Sequence, residues 1–173
     1  MQVELRSLLK TDGETRALGR YLGGLLRGGD WVTLRGELGA GKTTLVSGIL
    51  EAVHPGLRGR SPTYVLVEVY GEGGAGPHVV HADLYRLNRP AEYETLGLDD
   101  LATPDSIVLV EWADRAESCL PGDRLDVELR YLDPSLGEGR EIRLRPHGDR
   151  FDAMAREGFF DRDRWHHALH PGN

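Results

Sequence analysis

A chain of 173 residues with 39% hydrophobic and 28% charged residues has the size and composition of one water-soluble globular domain. It has no apolar run near the ~20 residues that span a bilayer, no signal-peptide core, and one cysteine, Cys119, which cannot form an internal disulfide, so we expect a cytoplasmic protein without a membrane partner. The formal net charge of −7 argues against tight, unaided binding to nucleic acid, because that affinity comes largely from lysines and arginines that neutralise phosphates.

The N-terminal part of the chain predicts a strand, a helix, a second strand and a second helix. Residues 1–9 alternate apolar and polar, and residues 11–30 have leucines at helical spacing between an N-cap at Thr11 or Asp12 and a Gly28-Gly29 stop. "WVTLR" (31–35) is a short β-rich run, and "KTTLVSGILEAVH" (42–54) repeats apolar residues along one helical face. A glycine-rich loop therefore lies between a strand and a helix.

Later segments predict further strands and one short helix. The runs at 63–70 and 78–87 flank a glycine-rich connector that is too short for a crossover helix, so they should pair as an antiparallel hairpin. "PAEYETLGLDDL" (90–101) reads as a short helix with a proline at its start, and "SIVLVEW" (106–112) as an apolar strand. "RLDVELRYL" and "EIRLR" alternate in polarity and are predicted to be sheet-edge strands.

The loop "GELGAGKTT" (36–44) matches the phosphate-binding pattern G-x-x-x-x-G-K-[ST] at Gly36, Gly41, Lys42 and Thr43. Its glycines let successive backbone N–H groups point at phosphate oxygens, Lys42 should reach the β and γ phosphates, and the Thr43 hydroxyl should ligate Mg²⁺. The predicted nucleotide contacts in this loop are Glu37, Leu38, Gly39, Ala40, Gly41, Lys42, Thr43 and Thr44.

Phosphoryl transfer also needs an acid near the metal, and two acids directly follow apolar runs: Glu111 after "SIVLV" and Asp83 after "HVVHA". We interpret Glu111 as the metal-side acid, acting directly or through water. Asp83 is then the candidate for positioning or deprotonating an attacking water. The ligand should lie at the carboxyl ends of the central strands, where Gly36, Asp83 and Glu111 all emerge.

Four segments in order, "GELGAGKTT", "SPTYVLVEVY", "HADLYRL" and "LVEW", resemble the TsaE family, the bacterial ATPases required for making N6-threonylcarbamoyladenosine on tRNA. The resemblance covers about residues 10–132. It implies ATP and Mg²⁺ as cofactors and a switch-like segment at Ser61, Pro62 and Thr63 that faces the γ phosphate. It also implies that Trp112 lies beside the nucleotide, and it supports catalytic roles for Lys42, Thr63 and Asp83 and metal-binding roles for Thr43 and Glu111.

The same resemblance implies a partner, the TsaB–TsaD pair, whose complex is reset by ATP hydrolysis between rounds. Hydrolysis by the chain alone is then expected to be weak, and tRNA is reached only through these partners, which suits an acidic chain. Two departures from the family are mild: Glu37 stands where members commonly have Asp, and Ala82 where they have an aromatic residue.

These elements predict an α/β fold class, a P-loop NTPase-like three-layer domain with a mixed parallel and antiparallel central sheet. We expect a single P-loop ATPase domain over residues 1–146 and a polar, partly helical tail over residues 147–173.

Two other functions compete with this hypothesis. A small-molecule or nucleoside kinase would use the same phosphate loop, but such kinases usually add an arginine-rich lid, and "GLRGR" (56–60) is short. A GTP-dependent switch would need a base-reading "NKxD" segment, and neither Asn88 nor Asn173 begins one. ATP hydrolysis is therefore preferred, with the kinase as the alternative.

Overall fold

The computed structural model describes residues 4–57, 66–133, 135 and 137–169. The strands within these ranges are β1 (Leu5–Leu9), β2 (Trp31–Arg35), β3 (Val67–Tyr70), β4 (His78–Asp83), β5 (Ser106–Glu111), β6 (Arg124–Tyr131) and β7 (Arg140–His147). The α-helices are α1 (Asp12–Leu25), α2 (Lys42–Val53), α3 (Leu98–Leu101), α4 (Gly148–Arg156) and α5 (Arg162–Leu169), and two 3-10 helices are η1 (Pro90–Leu96) and η2 (Ala113–Cys119). No helix of this part of the chain is long and apolar enough to cross a membrane.

The described strands form one mixed sheet in the order β1-β7-β6-β2-β5-β4-β3. The central strands β6, β2, β5 and β4 run parallel, whereas β3 pairs antiparallel with β4, and β7 pairs antiparallel with both β6 and β1. This topology confirms the predicted α/β fold with a mixed sheet and the predicted β3–β4 hairpin.

The prediction that β6 and β7 are sheet-edge strands is wrong. Strand β6 lies between β2 and β7, β7 lies between β6 and β1, and the edges are β1 and β3. Alternating polarity indicates that one face of a strand is buried and the other is exposed to solvent. It gives no information about how many neighbouring strands there are. Both strands bury Leu125, Val127, Leu129, Ile142 and Leu144 on one face, and charged side chains occupy the other face.

Helices cover the sheet on two sides, which produces the predicted three layers. Helices α1 and α2 pack over one face of the sheet around Leu34, Leu45 and Leu109, and η1, η2 and α3 pack over the other face around Val108 and Val110. The start of α1 is capped as its sequence suggested: the Glu14 backbone N–H donates to Thr11 Oγ1 at 3.1 Å, and the Lys10 N–H donates to the Glu14 carboxylate.

The predicted helix at 90–101 is broken into η1 and α3 at Gly97, whose φ of 63° is in the left-handed region. Glycine adopts this conformation without the steric penalty that a Cβ adds, so the chain turns there instead of continuing one helix.

The segment predicted to be a polar tail contains α4 and α5, and both helices pack against the core. Phe151, Met154, Phe160 and Trp165 are buried in the same hydrophobic cluster as α1 and α2. The Arg150 guanidinium also pairs with the buried Asp30 carboxylate at 2.6 Å. The segment is polar by composition but contributes apolar side chains at intervals; the domain boundary at residue 146 stays a prediction.

Candidate nucleotide-binding site

The phosphate loop (residues 36–44) connects the carboxyl end of β2 to the first turn of α2. Gly36 has a φ of 138°, and a Cβ at this position would lie 2.1 Å from the Leu129 carbonyl oxygen, so only glycine fits there. Gly41 precedes α2 with a φ of 104°, again in the region that favours glycine. The strand, glycine loop and helix expected from the sequence are therefore present, and the loop curls at the positions where the pattern has glycine.

Lys42 lies folded over the loop instead of extending into solvent. Its side-chain ammonium donates to the carbonyl oxygens of Gly36 at 2.7 Å and Glu37 at 2.8 Å, and it lies 4.0 Å from the centre of the Trp112 ring. Burial lowers the pKa of Lys42, and the nearby carboxylates of Glu111 and Asp83 partly oppose that shift. The cation is thus held beside the loop by contacts that a phosphate group can replace, since a phosphate oxygen is a stronger partner than a carbonyl oxygen.

Thr43 and Glu111 come together although they are far apart in the sequence. The Thr43 hydroxyl lies 3.1 Å from Glu111 Oε1 and 3.2 Å from Oε2, and His81 Nε2 lies 2.9 Å from Oε1. Glu111 and His81 are both buried, with 2% and 0% of their surface exposed. A hydroxyl and a carboxylate are oxygen ligands of the kind that Mg²⁺ prefers, so this pair fits the predicted metal site.

Asp83 lies on the strand next to Glu111. In the parallel register of β4 and β5 the Cα atoms of Asp83 and Glu111 are direct partners. Burial raises the pKa of the Asp83 carboxyl, and the negative charge of Glu111 raises it further. The Tyr85 backbone N–H donates to Asp83 Oδ1 at 2.9 Å, and this hydrogen bond lowers the pKa. The result is a pKa above the ordinary value, which moves this carboxylate toward the range of a general base.

Trp112 immediately follows β5 and has a φ of 57°, the one positive φ outside glycine among the described residues. A left-handed conformation costs an ordinary residue about 1–2 kcal/mol, and such strain tends to be kept where function needs it. The conformation places the indole against Lys42 and 4.8 Å from the Tyr85 ring, with the two ring planes at 51°. Trp112 and Tyr85 therefore form an aromatic wall beside the phosphate loop.

These groups surround a cavity of about 340 Å³. Its lining residues are Leu38, Gly39, Gly41, Lys42, Thr43, Thr44, Leu66, Asp83, Tyr85, Arg86, Glu111 and Trp112. Most of the residues predicted for the site are thus brought together around one space. Glu37 and Ala40 are not among the lining residues. The Glu37 carbonyl oxygen accepts a hydrogen bond from Lys42, and the Ala40 methyl is buried in the core. Thr63, with Ser61 and Pro62, lies outside the described residues.

Some residues of the site were not predicted. Leu66, Tyr85 and Arg86 line the cavity, and His81 contacts Glu111. The sequence contains one indication of His81: this residue comes two positions before Asp83 in the predicted strand. Side chains two positions apart on a strand lie on the same face of the sheet. The pairing of β4 with β5, which the sequence does not specify, determines that this face meets Glu111.

Most of the chain is similar in sequence to proteins of a known family. Residues 9–142 match the family described as "Threonylcarbamoyl adenosine biosynthesis protein TsaE". The tRNA threonylcarbamoyladenosine biosynthesis protein TsaE of Streptomyces coelicolor is 43% identical over 140 residues, which cover 79% of this chain and 93% of that protein. The Bacillus subtilis protein of the same name is 33% identical over 144 residues, covering 83% of this chain and 87% of its own.

The fold is also similar to a solved structure. The crystal structure of Bacillus subtilis YdiB superposes with a TM-score of 0.75 and 28% sequence identity, covering 95% of this chain and 98% of that one. The similarity therefore extends over nearly the whole chain.

Proposed function

The chain belongs to the TsaE family, and on that premise we propose that it is the ATP-hydrolysing subunit of a tRNA threonylcarbamoyladenosine modification system. The observation that carries the proposal is the convergence of Lys42, Thr43, Glu111 and Asp83 on one cavity at the carboxyl ends of β2, β4 and β5. Such a set of residues is what phosphoryl transfer requires: a phosphate loop, a metal site and an acid next to it.

In the proposed reaction the protein positions groups and moves one proton. Backbone N–H groups of the phosphate loop bind the phosphates at the start of α2, and Lys42 exchanges the carbonyl oxygens of Gly36 and Glu37 for phosphate oxygens. Thr43 and Glu111 would hold Mg²⁺, which when bound neutralises charge on the phosphates. Asp83 orients the attacking water and accepts its proton, as its raised pKa favours.

We further propose that hydrolysis serves a protein complex, the TsaB–TsaD pair, and that it resets this complex instead of phosphorylating a metabolite. The net charge of −7 supports indirect contact with tRNA, because an acidic protein gains little from the phosphate backbone. A cytoplasmic location follows from this role.

Co-purification of the chain with the TsaB–TsaD pair, with and without ATP and Mg²⁺, tests the proposal. We expect a complex to form and the rate of ATP hydrolysis to rise when the partners are present. If no complex formed and hydrolysis were unaffected by the partners, the proposed function would be rejected. Appearance of a stoichiometric phosphorylated metabolite in a mixed pool would favour a kinase instead.

A pair of substitutions separates binding from turnover. Lys42→Ala removes the cation that faces the phosphates and should weaken nucleotide binding, whereas Asp83→Ala should leave binding intact and abolish hydrolysis. Binding is measured by calorimetry with a non-hydrolysable ATP analogue, and hydrolysis by phosphate release. Undiminished hydrolysis by the Asp83 variant would remove that residue from the mechanism.

A further inference from the structure

We infer that His81 is a positioning residue that fixes the Glu111 carboxylate in the orientation needed to hold magnesium. The inference rests on the proposed function, because it assigns a role within the same metal site. His81 is not a lining residue of the cavity and would touch neither nucleotide nor metal; it acts through Glu111.

The contact between the two side chains has a defined direction. An ionised Glu111 carboxylate can only accept hydrogen bonds, so the proton lies on His81 Nε2, which donates to Oε1 at 2.9 Å. The other ring nitrogen, Nδ1, is buried and has no hydrogen-bond partner among the described residues. Within this part of the chain, the polar interaction of the imidazole is therefore directed at Glu111, which distinguishes it from a histidine that is hydrogen-bonded on both sides as part of the core.

His81 also leaves part of the carboxylate available. Its N–H occupies Oε1, and the described contacts of Oε2 are limited to the Thr43 hydroxyl at 3.2 Å. A single hydroxyl proton cannot saturate the lone pairs of a carboxylate. Oε2 therefore keeps acceptor capacity on the side of Thr43, the other residue predicted to ligate the metal.

A glutamate that binds a metal gains more from such a hydrogen bond than an aspartate does. Its side chain has more rotatable bonds than that of aspartate, and each bond that must be ordered on metal binding opposes that binding. A hydrogen bond that already holds the carboxylate removes part of this cost. Substituting such a supporting partner of a metal ligand typically costs about 10–100-fold in metal affinity.

Three substitutions at His81 distinguish this role from simple filling of the core. His81→Leu keeps an apolar side chain of similar size and removes the N–H, His81→Gln places an amide N–H near the position of Nε2, and His81→Asn places its amide nearer the position of Nδ1. His78→Leu is the matched control, because His78 lies on the same strand and contacts the Gly71 carbonyl oxygen at 3.3 Å instead of the site.

The measurement is the Mg²⁺ concentration that gives half-maximal binding of a non-hydrolysable ATP analogue, together with binding of the same analogue in EDTA. Direct Mn²⁺ binding, followed by electron paramagnetic resonance, is the second readout. We expect His81→Leu and His81→Asn to raise the required Mg²⁺ concentration by about 10-fold, and His81→Gln to stay within about 3-fold of wild type. Binding in EDTA and the response of His78→Leu should match wild type.

The possible outcomes separate the two claims. Unchanged Mg²⁺ dependence in His81→Leu, equal effects of Gln and Asn, or an equal loss of binding in EDTA would each overturn the positioning role while leaving the proposed function standing. If the wild-type protein bound no ATP analogue, or bound it independently of Mg²⁺, the proposed function would fail and the inference with it. If His81→Leu did not fold, the comparison of Gln with Asn would decide.

Discussion

Helices α1 and α2 approach each other so closely at Gly19 that even a methyl group there should destabilise the fold. A Cβ added at Gly19 would lie 2.3 Å from the Leu45 carbonyl oxygen and 2.9 Å from the Gly48 Cα, both backbone atoms of α2. Ordinary contacts of a Cβ begin near 3.4 Å, so the two helices would have to separate by about 1 Å at their closest point. Because α2 begins with Lys42 and Thr43, the contact between α1 and α2 also supports the phosphate loop.

Two opposing effects determine the stability of Gly19→Ala. Alanine is favoured over glycine inside a helix by about 1 kcal/mol. Overpacking against backbone that cannot rotate away costs about 3 kcal/mol, the upper end of the usual range. We therefore expect a net loss of about 2 kcal/mol in the free energy of unfolding, which for a chain of this length lowers Tm by roughly 4–8 °C.

Gly24 is the matched control on the same helix, because a Cβ added there meets nothing within 4 Å. Gly24→Ala should stabilise the protein by about 0.5–1 kcal/mol through helix propensity alone. Urea denaturation followed by circular dichroism, with m-values compared, measures both variants. If Gly19→Ala were as stable as Gly24→Ala, the close approach of α1 and α2 would be refuted.

Further predictions concern charges. Asp126→Asn should destabilise the fold by about 2 kcal/mol, because it removes the carboxylate that lies 2.7 Å from the largely buried Arg124 guanidinium, which then keeps Glu117, at 2.6 Å, as its carboxylate partner. Burial alone would raise the pKa of Asp126, but hydrogen bonds from Arg124 and Thr33 outweigh burial and hold this pKa below 3.8. The ionised Asp126 therefore stabilises the fold fully above pH 3.8, and this stabilisation is lost as the pH falls through the folded-state pKa. Measurements of the free energy of unfolding at several pH values test this. Because burial raises the pKa of Asp83, kcat/KM for ATP should decline on the acid side at a pH above 3.8, and a pH–rate profile without such a limb would argue against Asp83 as the base. Because burial lowers the pKa of Lys42, nucleotide binding in EDTA should weaken on the alkaline side below pH 10.5, and titration calorimetry across that range measures it.

Short-range sequence patterns indicated several residues that lie together around the cavity, but they did not indicate the arrangement of the sheet. The pattern of the loop at residues 36–44 was recognisable because phosphate binding in general depends on local backbone geometry, which glycines at particular spacings specify. Glu111 and Asp83 were candidates because each directly follows an apolar run, and the structure places them side by side on β5 and β4. The positions of β6 and β7 were mispredicted, because the neighbours of a strand depend on pairing between segments that are distant in the sequence. Alternating polarity within one strand gives no information about that pairing.

The C-terminal segment illustrates the same limit. Its composition is polar, but Phe151, Phe160 and Trp165 are spaced so that two short helices place them in the core beside α1. A short helix with few apolar residues gives a weak periodic signal, and its burial is decided by the surface that the rest of the fold presents.

The sequence by itself determined the chemistry available to this protein: a phosphate loop with Lys42 and Thr43, and two strand-end carboxylates, all of which follow from short-range patterns. Only the tertiary structure decided how these groups meet. The parallel pairing of β4 with β5 places Asp83 beside Glu111, and the packing of α2 over the sheet brings the Thr43 hydroxyl to within 3.1 Å of that carboxylate. The contact of His81 with Glu111 arises in the same way, since a contact between residues distant in sequence depends on which elements pair and pack, and no local spacing encodes that choice.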